Sequence, residues 1–274
     1  MNLNATSFDK ANAAACVAEC AAAYTDQPTV SNAATDTNVR VVDLPDCRIV
    51  AFRGSKSLRN WITDAEFLRA LLVEEANGDR CEVHHGFLAA YESIIGDLTA
   101  YLRGQDLGSP VAAVCDRRPG DDTSPLQKPI FITGHSLGGA LAILAALELK
   151  RQGFAVAQVY TFGQPRVGNG AFKKMYDAAL GAQTFCVVYE EDIVPRIPHL
   201  PAFTDPYRRV ATEVFLPAFG FGDMIFNPSV PRLLMSDAWG LYRAWRAGNV
   251  PALLDDVLAD HHIGNYQKAF YYAR

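Results

Sequence analysis

Hydrophobic residues in this chain fall into two alternating rhythms. Short apolar runs at Val39–Asp43, Arg48–Phe52, Pro129–Ile132, Ala155–Phe162 and Thr184–Tyr189 read as strands, with Pro45-Asp46 turning the first pair. Between them the apolar positions repeat every three or four residues. Leu88, Tyr91, Ile94, Ile95 and Leu98 mark a helix running to about Leu102; Leu141–Lys150 marks another, and a third is capped by Asn169 and ends near Leu180. An alanine-rich stretch predicts a first helix from about Ser7 to Tyr24. Leu58–Asp64 reads as a short amphipathic helix, and Asp116–Lys128 as a polar surface loop. Strand–helix alternation of this kind predicts an α/β fold, with a mostly parallel central sheet flanked by helices. We expect one domain over residues 1–274. Its least regular part follows residue 200: a strand within Arg208–Leu216, a segment rich in Phe, Gly and Pro over Phe215–Pro231, helices at Arg232–Ala247 and Val250–Ala259, and a closing segment at Gly264–Tyr272.

Composition narrows the classes of function. Half of the residues are hydrophobic and 20% are charged, which allows a sizeable core. A net charge of −5 argues against a nucleic-acid partner, which would favour a basic face. No apolar run reaches the length of a membrane span. The apolar stretch Ala11–Ala23 has no basic segment before it and is interrupted by Glu19, so it reads as a helix and not as a signal peptide, and the compartment stays open. The cysteines at 16, 20, 47, 81, 115 and 186 form no C-x-x-C pair and read as reduced, buried thiols. Histidines and acids are too scattered for a zinc or calcium site, so no metal and no cofactor is implied.

The chemistry centres on Gly134-His135-Ser136-Leu137-Gly138, which follows an apolar strand and precedes a helix. It fits the G-x-S-x-G turn that lifts a serine above a sheet. Ser136 is therefore the candidate nucleophile, and a serine needs a base oriented by a carboxylate. In elbow hydrolases the acid and then the histidine follow the serine in the chain. Asp192 lies just past the carboxyl end of a strand and is the candidate acid. The candidate base is His261 or its neighbour His262, since His199 lies between prolines in a loop. The amide of Leu137 is one candidate oxyanion donor, and Ser55, after the strand Arg48–Phe52, is the second.

Taken together, these segments resemble the class 3 lipases, the fungal triacylglycerol lipase type of α/β-hydrolase. Phe52-Arg53-Gly54-Ser55 through Ile62 is similar to that family's oxyanion strand and lid helix, and His84–Phe87 to its H-x-G-F segment. Thr133–Ala140 resembles the elbow, Thr161–Asn169 the segment after the elbow helix, and Asp192–Pro198 the catalytic-acid loop. The resemblance implies Asp192 as acid and Ser55 and Leu137 as oxyanion donors. It also implies a lid within residues 56–68, carrying Leu58, Trp61 and Ile62 towards a lipid or ester substrate. The family's D-H-S-x-x-x-Y motif matches Asp260–Tyr266 with His262 in the serine place, which makes His261 the base; a closer histidine–aromatic spacing would favour His262. The segment 216–259 does not align.

The expected activity is that of a lipase or carboxylesterase acting on acylglycerol esters through a Ser136–His261–Asp192 triad, at a lipid–water interface if the lid opens there. Phospholipase A1 or feruloyl esterase activity is the alternative on the same fold, because fold and triad do not choose among acyl esters. A silent lipid-binding relative is the reading from another class. A lid predicts a jump in rate as ester passes from solution into emulsion; equal turnover of both would remove it.

Overall fold

A computed structural model of the chain describes residues 1–55, 69–75, 78–105, 128–189, 192–197, 207–217, 223–228 and 259–272. Its centre is an eight-stranded sheet. In chain order the strands are β1 (Val30–Asn32), β2 (Thr37–Asp43), β3 (Arg48–Phe52), β4 (Arg69–Glu74), β5 (Arg80–His84), β6 (Ile130–His135), β7 (Val156–Phe162), β8 (Thr184–Tyr189), β9 (Thr212–Leu216) and β10 (Ile225–Phe226). The sheet order is β1-β2-β3-β6-β7-β8-β9-β10, and β4 pairs with β5 in a separate hairpin. β3, β6, β7, β8 and β9 are mutually parallel, while β1, β2 and β10 add antiparallel edges.

Side chains alternate across the parallel strands and build two cores. Ile130 and Ile132 of β6, Val159 of β7 and Val50 and Phe52 of β3 face one core. Helices α2 (His85–Leu102), α3 (Leu137–Arg151) and α4 (Gly170–Leu180) cover that side. Phe131, Tyr160, Phe162 and Ile49 face the other, beneath α1 (Lys10–Ala22) and α5 (Ile263–Tyr272). With both faces covered, every residue of β6 and of β8 is buried, which is why they read as continuous apolar runs.

Local signals set the helix ends. α1 starts at Lys10, later than the expected Ser7, because the Asp9 side chain accepts from the Asn12 amide at 2.8 Å. Asn12 is itself buried, with its amide group on Gln158 of β7 at 2.9 Å. Asn169 caps α4 as expected, accepting from the Phe172 amide at 2.9 Å. It also clasps β5 by donating to the Arg80 carbonyl at 2.8 Å.

The hairpin β4–β5 was not legible. β4 has no cleanly buried face, and a bulge between Leu71 and Val73 breaks the alternation. β1 and β10 span only three and two residues, too few to show a period. The strand expected within 208–216 is β9. The expected helices at 58–64 and 232–247, most of 250–259 and nearly all of the 116–128 loop lie outside the described residues. Among the described residues no helix is long and apolar enough to cross a membrane, and Cys16, Cys20, Cys47, Cys81 and Cys186 are free and buried.

α3 is buried along nearly its whole length, from Gly138 to Leu147 and at Leu149. Leu141, 1% exposed, sits on its first turns against the sheet. Leu141→Ala is expected to lower unfolding free energy by about 2–5 kcal/mol, read as a lower urea midpoint with an unchanged slope.

Candidate active site

The site gathers at the carboxyl ends of the parallel strands. β6 ends at His135 and α3 begins at Leu137, so Ser136 alone makes the turn. Its φ of 59° and ψ of −132° are strained for a residue with a side chain. The turn is this tight because glycines flank it: a Cβ on Gly134 would lie 2.1 Å from the Gly138 carbonyl oxygen, and one on Gly138 would lie 2.2 Å from that of Phe52. The Ser136 amide donates to the Phe162 carbonyl at 2.9 Å, locking the turn to β7.

Asp192 follows β8 and is fully buried. Its carboxylate accepts from the Val194 amide at 2.9 Å, from His261 Nδ1 at 2.7 Å and from the Tyr266 hydroxyl. The loop that carries it is pinned from outside. The Arg166 amide donates to Ile197 at 2.9 Å, and the Arg209 guanidinium to the Pro195 carbonyl at 3.1 Å.

Of the two adjacent histidines, His261 turns inward, 2% exposed, and pairs with Asp192. His262 is exposed, and its Nδ1 accepts from the Gly264 amide at 3.1 Å at the start of α5. With a carboxylate on Nδ1, the His261 proton sits there and Nε2 carries the lone pair. Gly163 leaves room for this ring: its φ is 59°, and a Cβ there would lie 2.7 Å from His261 Cε1 and 2.8 Å from Asp192 Oδ2. His261 Nε2 and Ser136 Oγ are both buried, and neither has a hydrogen-bond partner among the described residues.

Ser55 is half-buried just beyond β3, which lies beside β6 with Phe52 opposite Gly134. The residue before it, Gly54, packs so closely on the elbow that a Cβ there would lie 3.1 Å from Ser136 Cβ. Leu137 is the first residue of α3, where amides lack intrahelical acceptors. Leu58, Trp61 and Ile62, with the whole lid segment 56–68, lie outside the described residues. Among the described residues no group of three or more His, Cys, Asp or Glu side chains could hold a metal ion.

Three aromatic side chains, Tyr266 and His135 buried and Tyr24 half-buried, border the site without having been assigned a role from sequence. Tyr266 stands five residues after His261, one turn into α5, and is the tyrosine that closes the D-H-S-x-x-x-Y match. The Tyr266 hydroxyl is held protonated by burial and by the adjacent Asp192 charge, so it acts as a donor. His135 stacks on His261 with ring centroids 4.5 Å apart, and burial, then the neighbouring His261, push its pKa well below the usual 6.5. Tyr24, from the turn after α1, reaches His135 Nδ1 at 2.8 Å.

The comparison with known proteins fits this geometry. The pattern of the family described as "Lipase (class 3)" matches residues 49–201, more than half of the chain. The chain belongs to the class 3 lipase family. A secreted mono- and diacylglycerol lipase 1 of Fusarium solani is 34% identical over 168 residues, covering 61% of this chain and 43% of that protein. Phospholipase A1-II 6 of Oryza sativa subsp. japonica is 33% identical over 187 residues, covering 61% of this chain and 43% of its own. This class 3 lipase-family chain thus matches less than half the length of those relatives. The crystal structure of the Rhizomucor miehei triacylglyceride lipase superposes with a TM-score of 0.56 at 26% identity, covering 75% of this chain and 77% of that one. The fold is that of the α/β-hydrolases. The matched region holds Ser136 and Asp192, while His261, Tyr266 and Tyr24 come from outside it.

The state of His135 gives this site a pH signature. In the unfolded chain it takes a proton near the ordinary 6.5, and in the folded chain only well below that. Protonation therefore favours unfolding: its contribution is complete above 6.5 and is lost as pH falls. Between about pH 7.5 and pH 5.5 the parent should lose about 1.4 kcal/mol more unfolding free energy than His135→Gln, measured by urea titration. Equal losses would mean that the ring charges without penalty.

Proposed function

We propose that this chain is a serine ester hydrolase, a lipase or carboxylesterase for acylglycerol-type esters, working through Ser136, His261 and Asp192. The observation that carries the reading is the pairing of His261 Nδ1 with buried Asp192, which leaves Nε2 and Ser136 Oγ as buried, unpartnered atoms of complementary chemistry. His261 Nε2 takes the Ser136 proton as Oγ attacks the ester carbonyl. Asp192 stabilises the imidazolium that results. Charge developing on the carbonyl oxygen is met by the Leu137 amide at the helix N-terminus and by Ser55. The imidazolium then protonates the departing alcohol, and water, activated by the same histidine, releases the carboxylic acid.

The acylglycerol reading rests on family membership and on the mono- and diacylglycerol lipase likeness. The similarity to a phospholipase A1 supports a second reading, in which the same site cleaves a phospholipid acyl ester. Hydrolysis of p-nitrophenyl esters from short to long chains, followed by paired tri-, di- and monoacylglycerol and phospholipid substrates, separates the two. Ser136→Ala and His261→Ala should each lower kcat by about 10³–10⁶-fold, while His262→Ala stays within about threefold of the parent. A fluorophosphonate should label Ser136; a folded protein that neither labels nor hydrolyses any ester would be a binding relative instead.

A further inference from the structure

We propose that His135 is a positioning residue for the base, fixed in one tautomer by Tyr24 and holding both the backbone and the ring face of His261. The inference rests on the reading of Ser136, His261 and Asp192 given above. His135 is the residue immediately before the serine, its side chain is buried, and the proposed reaction leaves it without a task.

The hydrogen bonds determine its state. Its Nε2 lies 2.8 Å from the His261 carbonyl oxygen, which can only accept, so Nε2 carries the proton. Burial keeps the ring neutral, so Nδ1 carries a lone pair and accepts from the Tyr24 hydroxyl at 2.8 Å. Tyr24 remains a donor, because burial raises its pKa far above the physiological range. Its hydroxyl lies against the oxyanion segment, close enough that a Cβ on Gly54 would approach it to 2.2 Å. A continuous path thus runs from Gly54 through Tyr24 and His135 to His261, joining the strand that carries Ser55 to the segment that carries the base.

The stacking adds an electrostatic role. The His135 and His261 rings lie 4.5 Å apart and 31° from parallel, and the Tyr266 ring meets His135 edge-on at 5.7 Å. A neutral ring in this place presents a π face to the imidazolium that forms on His261 when Ser136 is deprotonated, whereas a second cation would oppose it. The Tyr24 bond favours the tautomer that serves both purposes. His261 is then held by Asp192 at ring Nδ1 and by His135 at its backbone carbonyl, leaving Nε2 aimed by two independent restraints.

The test uses the full chain and kinetics per active site, counted by fluorophosphonate titration. His135→Phe keeps a ring and loses both hydrogen bonds; Tyr24→Phe loses the tautomer restraint together with the hydroxyl's bond to the Gly54 backbone; His135→Gln keeps a donor near the Nε2 position. We expect kcat to fall about 30–100-fold in His135→Phe and about 5–10-fold in Tyr24→Phe with KM within about threefold of the parent, and His135→Gln to recover part of the loss. Unchanged kcat per titrated site in His135→Phe would overturn the proposal, even where the titratable fraction falls, since that pattern belongs to a purely structural residue. Imidazole nitrogen NMR of the unreacted protein gives a readout independent of turnover. It should show His135 protonated at Nε2 alone and the His261 signals displaced in Tyr24→Phe. A parent that fails to label at Ser136 removes the proposed function but leaves this readout to decide. A His135 protonated at Nδ1, or His261 signals indifferent to Tyr24, would overturn the inference.

Discussion

The constraint on which the rest depends is the buried carboxylate of Asp192. A charge taken fully out of water is costly unless donors surround it, and three arrive here from different parts of the chain. The Val194 amide comes from its own loop, Tyr266 from the closing helix and His261 from the segment just before that helix. The closing helix therefore docks on the sheet with its polar contacts as well as its apolar face; Tyr266, Ala269 and Phe270 complete the core beneath α1. Solvating Asp192 and seating His261 are one structural event.

The serine side of the site depends on backbone contact instead. At the elbow β3, β6 and α3 approach within distances that exclude even a methyl group, and this fixes Ser136 in a conformation it would not otherwise adopt. A buried helix behind it prevents relaxation. The two halves of the site thus have different physical origins, packing for Ser136 and hydrogen bonding for Asp192 and His261.

These origins account for what the sequence disclosed. The elbow was legible because steric demands write themselves as glycines at fixed spacing. β3, β6, β7 and β8 were legible because doubly covered strands are mostly apolar runs, interrupted in β7 only by buried Gln158 and Thr161. Asp192 could be singled out from its place at a strand end. The choice between His261 and His262 needed a motif register, because adjacent residues on a turn point apart for reasons settled by α5: one ring faces Asp192, the other accepts from Gly264. Tyr24 and His135 gave no signal, since hydrogen bonds across more than a hundred residues leave no local pattern. The β4–β5 hairpin was silent because its bulge removes the alternation that marks a strand.

The order in which the chain supplies these groups has a consequence during synthesis. His135 and the carbonyl it holds are 126 residues apart, and Asp192 precedes His261 by 69. A growing chain that has already exposed the serine turn has neither His261, the base proposed for it, nor Tyr266, which donates to Asp192. On the assignment proposed above, the site is complete only once the segment carrying His261 and Tyr266 has emerged and closed over the sheet.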